Sequence, residues 1–154
     1  MPMPDPSRHS VLRMWVRPEQ DAPVVELNEL HLVAAQGVRG DHAMGRMRHV
    51  TIIFEDDWRA AERDLGVTVD PSARRANVLV SGGGGARFVG QTIRLGGAVV
   101  EVKGITAPCP IMEKGAKGLE AALKPDGRSG VWGRLLEGAT LRRGDELVGS
   151  TVAR

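Results

Sequence analysis

The sequence contains one cysteine, no tyrosine, two phenylalanines and three tryptophans in 154 residues. One cysteine closes no internal disulfide, which points to the cytoplasm as the compartment and leaves no second thiol for a structural zinc site. The four histidines, His9, His31, His42 and His49, do not pair at i and i+4. Zinc is disfavoured accordingly. So few aromatic rings make a stacking platform for single-stranded nucleic acid an unfavoured reading. Net charge is scarce too: 21 basic residues against 19 acidic ones leave +2, too little for a polyelectrolyte partner of DNA or RNA. No apolar run approaches the roughly 20 residues that span a bilayer, and the proline-rich start lacks the apolar core of a signal peptide. A cytoplasmic protein with no membrane partner is expected. Three signatures are absent as well: the G-x-S-x-G nucleophile elbow, the phosphate loop and the dinucleotide fingerprint. With no cysteine pattern for an iron–sulfur cluster either, any electrons used by the protein must come from outside it.

What is present describes an ordinary globular chain, 42% hydrophobic and 26% charged, of a length that suits one domain. Residues 1–10 read as a flexible tail and 11–150 as the domain. Short runs rich in β-branched residues at 11–16, 30–33, 50–54, 78–80, 131–136, 140–141 and 146–148 predict strands. Gly96-Gly97 between 93–95 and 98–102 is the signal of a two-residue hairpin turn. Trp58, Ala61 and Leu65 share one face of a helix over 56–65 that Gly66 ends, with Glu55, Asp56 and Asp57 placed as capping residues. A second helix is predicted over 112–123, weakened by Gly115 and Gly118. The glycine run 82–85 reads as a mobile turn. Together these elements predict a mainly β (α+β) fold, a barrel or sandwich with one or two inserted helices. Exposed strand edges make a homodimer plausible.

Two features carry candidate chemistry. Cys109 lies between Pro108 and Pro110, after a strand and before the predicted second helix. A lone cysteine is most often a small buried hydrophobe, but a thiol at a helix N-terminus favours the thiolate that binds metal or carries sulfur. A Cys–His pairing with His42 or His49 also stays open. The second feature is the cationic set, 17 arginines against 4 lysines, most of which fits a G+C-rich genome. Arg74 and Arg75 beside Asn77 form an arginine–amide grip suited to a phosphate or other oxyanion. The glycine-punctuated loop 37–46 adds polar side chains on a segment of the kind that carries ligand contacts.

Three separated segments resemble one family. Gly37 to Asp41 followed by Arg48-His49-Val50-Thr51, then Arg75-Ala76-Asn77 ahead of a strand and Ser81-Gly82, then Pro108-Cys109 before Met112-Glu113, are similar to the MOSC domain. That domain is the C-terminal module of molybdenum cofactor sulfurases and also a stand-alone bacterial protein. The ending, Val131 to Gly138 with Arg143-Gly144-Asp145, resembles the family's ending too. The resemblance implies a MOSC-type β-barrel that binds molybdenum cofactor (molybdopterin) or handles its sulfur. It implies Cys109 as molybdenum ligand or persulfide carrier, and Arg75 and Asn77 at the cofactor pocket. Arg74, Asp41, His42 and Arg48 follow by loop position. His49 stands where relatives often have glutamine. The aminotransferase-like domain of the sulfurases has no counterpart here, so pyridoxal phosphate is not expected. Three functions follow. One is a cofactor-binding protein that reduces N-hydroxylated small-molecule substrates with a redox partner, or carries the cofactor. Another is a sulfur relay fed by a cysteine desulfurase. The last is a non-catalytic barrel that binds anions or nucleic acid.

Overall fold

The computed structural model describes residues 8–149. Eleven strands run in chain order among the described residues: β1 (Arg8–Val16), β2 (Val25–Leu27), β3 (Glu29–Val33), β4 (Gly37–Val38), β5 (Val50–Phe54), β6 (Val78–Val80), β7 (Thr92–Leu95), β8 (Ala98–Ile105), β9 (Val131–Glu137), β10 (Ala139–Arg142) and β11 (Glu146–Val148). Helix α1 (Glu55–Leu65) joins β5 to β6, and a short α2 (Leu119–Ala122) precedes β9. The main sheet runs β11-β7-β8-β9-β5-β6-β1-β2, and β1 pairs again with β11. Seven strands thus close into a barrel, which removes the open edges that invite aggregation. Only β5 and β6 pair in parallel, as the helical crossover between them requires.

The barrel fills because its strands alternate. Met14 and Val16 of β1, Ile52 and Phe54 of β5, and Val78 and Val80 of β6 belong to the interior core. Their neighbours Trp15, Ile53 and Leu79 face outward into a second core with Trp58, Ala61, Met112, Leu119 and Leu123. These strands are therefore covered on both sides, which is why they read as continuous apolar runs. Trp58 donates its indole N–H to the Val69 carbonyl (2.8 Å), fixing α1 over the wall. Gly66 (φ 75°) closes α1 in the left-handed conformation. The Gly96-Gly97 hairpin forms as predicted, with Leu95 opposite Ala98.

Four expectations are corrected. The first strand starts at Arg8, since Arg8, His9 and Ser10 pair with Val148, Leu147 and Glu146; of the predicted tail, residues 1–7 lie outside the described residues, as does residue 150 of the predicted domain. The helix predicted over 112–123 is split into a 3₁₀ turn at Pro110–Lys114 and the four-residue α2. Gly118 (φ 91°) breaks it, and the Glu113 carboxylate accepts from the backbone N–H of Gly118 and Glu120 (2.9 Å each). The side chain thus binds groups that a continuous helix would have paired internally. The acidic triplet makes no side-chain cap on α1. Asp57 instead accepts from the N–H groups of Gly84 and Gly85 (2.8 and 3.0 Å), and Arg87 donates to the carbonyls of Gly83 and Gly84. The glycine run is accordingly a tethered turn.

Gly130 sits at the mouth of β9 with φ 103°, and a Cβ there would collide with the Ile52 carbonyl oxygen. Replacing Gly130 by alanine is expected to cost about 3 kcal/mol, from backbone strain and overpacking together. Urea unfolding of the variant against the parent measures this, and an unchanged midpoint contradicts it.

Candidate functional site

Cys109 is the free thiol of the chain and is exposed. Its backbone is extended (φ −135°) and it caps the 3₁₀ turn Pro110–Lys114. A single 3₁₀ turn offers little of the dipole that a long helix N-terminus would provide. The field around the sulfur is therefore set by side chains. Two hollows meet at Cys109. The larger, about 400 Å³, is lined by Arg17, Arg46, Arg48, Thr51, Thr106 and Arg74 among others. The smaller, about 300 Å³, shares Arg17, Arg74 and Cys109 and adds Asp21, His42, Arg75 and Ile111.

Arg74 is the central cation. It is 7% exposed, and its Nε donates to the Ser129 carbonyl (2.7 Å), which also accepts from the Thr106 hydroxyl (2.8 Å). Among the described residues its two terminal nitrogens find no hydrogen-bond partner, although both hollows reach the side chain. Burial pulls its pKa down to about 10; Cys109 opposes that shift, and the charges of Arg17 and Arg48 add to it. The guanidinium remains protonated at neutral pH, buried and without a carboxylate partner. A buried charge of this kind calls for an anion.

Arg17 reaches the site by a different route. It follows β1, and the carboxylate of Asp41 accepts from its backbone N–H (2.8 Å), its Nε (3.2 Å) and its Nη2 (2.9 Å). Asp41 also accepts from Ala43 N–H (3.0 Å) and from the Asn77 amide (3.2 Å). Burial raises the Asp41 pKa, but the Arg17 hydrogen bonds and charge, with the backbone donors, leave it net below the ordinary carboxylate value. Asn77 is 1% exposed. Its amide oxygen accepts from the Thr51 N–H and hydroxyl (3.1 Å each), and its NH₂ donates to the Trp15 carbonyl (3.2 Å) as well as to Asp41.

The residues singled out in the sequence thus divide. Cys109, Arg74, Arg48, Arg75 and His42 line the hollows. Asp41 and Asn77 line neither and spend their polar atoms on positioning. Arg75 adopts φ 63°, unusual for a residue with a side chain, and points its guanidinium at the carbonyls of Ala22 (2.6 Å) and Gln20 (2.9 Å). It organises the loop after β1 while leaving its charge at the rim. Arg48 stacks over Trp132, 5.4 Å from the ring centre. His42 shares the smaller hollow with Cys109, and burial followed by the Arg17 charge lowers its pKa. His49 is buried instead behind β9, its Nδ1 accepting from the Leu135 N–H (2.9 Å), so of the two histidines weighed for Cys109 only His42 lies beside it. Arg46 belongs to the polar loop 37–46 singled out in the sequence, whereas Arg17 does not. Arg17 reads as the polar end of a strand before Pro18, and nothing local marks it as a partner of Asp41.

The Asp41–Arg17 pair predicts an acid-sensitive element. A carboxyl with a lowered folded-state pKa adds stability that is present above its unfolded value, about 4, and lost as pH falls through the folded value. Asp41→Asn is expected to abolish that part of the acid dependence, and Asp41→Ala to cost about 3 kcal/mol by leaving Arg17 half-buried and unpaired. Urea midpoints between pH 3 and 7 test both; parallel curves for parent and Asp41→Asn contradict the assignment.

Comparison with known proteins gives the fold its relatives. The family model for the MOSC domain matches residues 39–148. Among solved structures, the YuaD protein from Bacillus subtilis superposes with a TM-score of 0.81 at 18% identity, covering 94% of this chain and 97% of its own. YiiM from Geobacillus stearothermophilus gives 0.72 at 17% identity, covering 92% and 75%, and YiiM from Escherichia coli gives 0.69 at 15%, covering 96% and 72%. A search of curated proteins returns no match. No helix among the described residues is long and apolar enough to cross a membrane. With most of its length matched by the family model and its barrel matched by these structures, the chain belongs to the MOSC domain family.

Proposed function

We propose that this MOSC protein binds a molybdenum–pterin cofactor, with the Cys109 thiolate as the metal's protein ligand and the anionic arm of the pterin in the larger hollow. The observation that carries this reading is Arg74, a buried, charged guanidinium with no carboxylate partner beside the free thiol. A soft sulfur donor and an uncompensated guanidinium fork in one hollow suit the two ends of a phosphate-bearing metal–pterin group. The residues present fit such a group. No three His, Cys, Asp or Glu side chains converge among the described residues, so Cys109 would be the protein's side-chain donor of that kind. When bound, the group would supply a redox-active metal.

The remaining work falls to this chain's own residues. Pro108 and Pro110 restrict the backbone on either side of Cys109 and hold the sulfur at the meeting point of the hollows. Arg74, Arg17, Arg48 and Arg46 neutralise and orient the anionic arm, with the Thr51 and Thr106 side chains on the same lining. Asp41 and Asn77 serve through Arg17, and Arg75 through the loop it holds. The chemistry that suits this arrangement is reduction of an N-hydroxylated compound with electrons from a redox partner, or carriage of the cofactor. A second reading, in which Cys109 carries a persulfide received from a cysteine desulfurase, is favoured by the exposure of the thiol, which a partner's active site can reach.

Purification from a molybdate-replete host, with molybdenum, pterin and cyanide-labile sulfur measured for parent and Cys109→Ser, separates the two. Stoichiometric metal and pterin lost in the variant support the cofactor reading. Labile sulfur without metal supports the relay, and neither species in the parent overturns both. Arg74→Gln is expected to lower cofactor occupancy about tenfold or more through the lost charged hydrogen bonds, and Arg75→Ala to lower it less, since its guanidinium already serves two carbonyls.

A further inference from the structure

The smaller hollow beside Cys109 does not end at Arg75. A third hollow of about 430 Å³ lies against it and shares Asp21, Arg75 and Ile111, continuing past Pro23, Val24 and Ala73. Its character changes along its length. At one end stand Arg74, Arg17 and Cys109. At the other end Val24, Ala73 and Ile111 form the outer fringe of the second hydrophobic core and remain only partly covered. A partly covered apolar wall that leads to a buried guanidinium with no carboxylate partner among the described residues has the polarity of a ligand with a charged head and an apolar body.

We propose that these two hollows form one cleft for a small organic carboxylate, its head between Arg74 and Arg17 beside Cys109 and its apolar body along Ile111, Ala73 and Val24. The planar guanidinium fork of Arg74 matches a carboxylate in two-point contact. Arg17, already paired with Asp41, presents a fixed dipole more than a free charge, so Arg74 is the group whose charge the head neutralises. His42 lines the head end, and its imidazole makes no hydrogen bond among the described residues, which leaves a ring N–H for the same carboxylate. An inorganic oxyanion would use the head end and leave the apolar wall in water. A neutral analogue would use the wall and leave Arg74 unpaired. The cleft therefore selects the molecule that does both. This inference reaches beyond the cofactor reading and stands without it: the cleft shares Arg17, Arg74 and Cys109 with the larger hollow but not Arg48, Thr51 or Thr106, and the carboxylate would compete with the cofactor's anionic arm for Arg74.

Equilibrium dialysis of the protein as purified against 4-phenylbutyrate, 4-phenylbutanamide and sulfate tests the proposal. One equivalent of 4-phenylbutyrate is expected to bind, with the amide and sulfate each about tenfold weaker or more, the scale of one lost charged contact or one lost apolar group. Val24→Asn is expected to weaken 4-phenylbutyrate while leaving sulfate unchanged, and Arg74→Lys to weaken both. Arg94→Ala, an exposed arginine of β7 outside these hollows, is expected to change neither. Equal affinity for acid and amide, or for 4-phenylbutyrate and sulfate, overturns the proposal. So does a loss of binding in Arg94→Ala without one in Val24→Asn. The comparison of the three ligands uses the parent protein, so a variant that folds poorly does not decide it. Molybdenum content measured on the same preparations keeps failure here distinct from failure of the cofactor reading.

Discussion

Asn77 sits where the barrel and the site join, and its amide is saturated from four directions. Thr51 of β5 donates twice to its oxygen, and its nitrogen donates to Trp15 of β1 and to the Asp41 carboxylate. In a buried setting each of these groups would cost roughly 1–3 kcal/mol if left unpaired. The three strands that surround the amide therefore have little freedom to shift against one another. The same amide aims Asp41, and Asp41 in turn fixes Arg17 by three contacts. A chain of hydrogen bonds thus runs from the barrel wall to a guanidinium at the site, and its geometry follows from the strand register.

The arginines around Cys109 illustrate how a protein can concentrate positive charge without unfolding. Each one is held in place by contacts of its own. Arg74 uses the Ser129 carbonyl, Arg75 the carbonyls of the loop after β1, Arg48 the face of Trp132, and only Arg17 a carboxylate. Carbonyl oxygens and an aromatic face orient a guanidinium but carry no net charge to cancel it. Of these four, then, three form no ion pair among the described residues while being held in place. This is the arrangement expected of a preorganised anion site, where the cost of gathering like charges is met by the fold before the ligand arrives.

Much of the fold was legible because β1, β5 and β6 are short apolar runs rich in β-branched residues, covered on both faces. The helix stripe Trp58, Ala61, Leu65 and the Gly96-Gly97 turn were legible for the same local reason. What escaped depends on contacts distant in sequence. Arg8 and His9 look like tail residues until β11 pairs with them across the whole chain. Residues 112–123 carry a helical stripe, but Glu113 captures the amides of Gly118 and Glu120 and stabilises the break. At the site, the R-x-N pattern does not show which side chains line the hollows. Its first arginine neighbour, Arg74, lines both hollows, Arg75 lines the smaller one while binding loop carbonyls, and Asn77 lines neither and is held by partners up to 62 residues away. No local pattern encodes which of two adjacent arginines turns inward. That choice follows from the left-handed backbone at Arg75, which closes the 3₁₀ turn Pro71–Arg74.

Burial also determines which part of the positive field a ligand can rely on. Arg46 and Arg48 are exposed, and at physiological ionic strength their charges are screened beyond about 8 Å. Arg74 is enclosed by protein on nearly every side, so salt screens it little. The outer arginines therefore act mainly by drawing an anion toward the hollows, and the inner one by retaining it. Cys109 and Arg74 both line the two hollows. A ligand anchored on Arg74 from either side comes to rest next to the thiol. The chemistry of Cys109 is thus tied to whichever anion Arg74 holds, more than to the short helical turn that follows it.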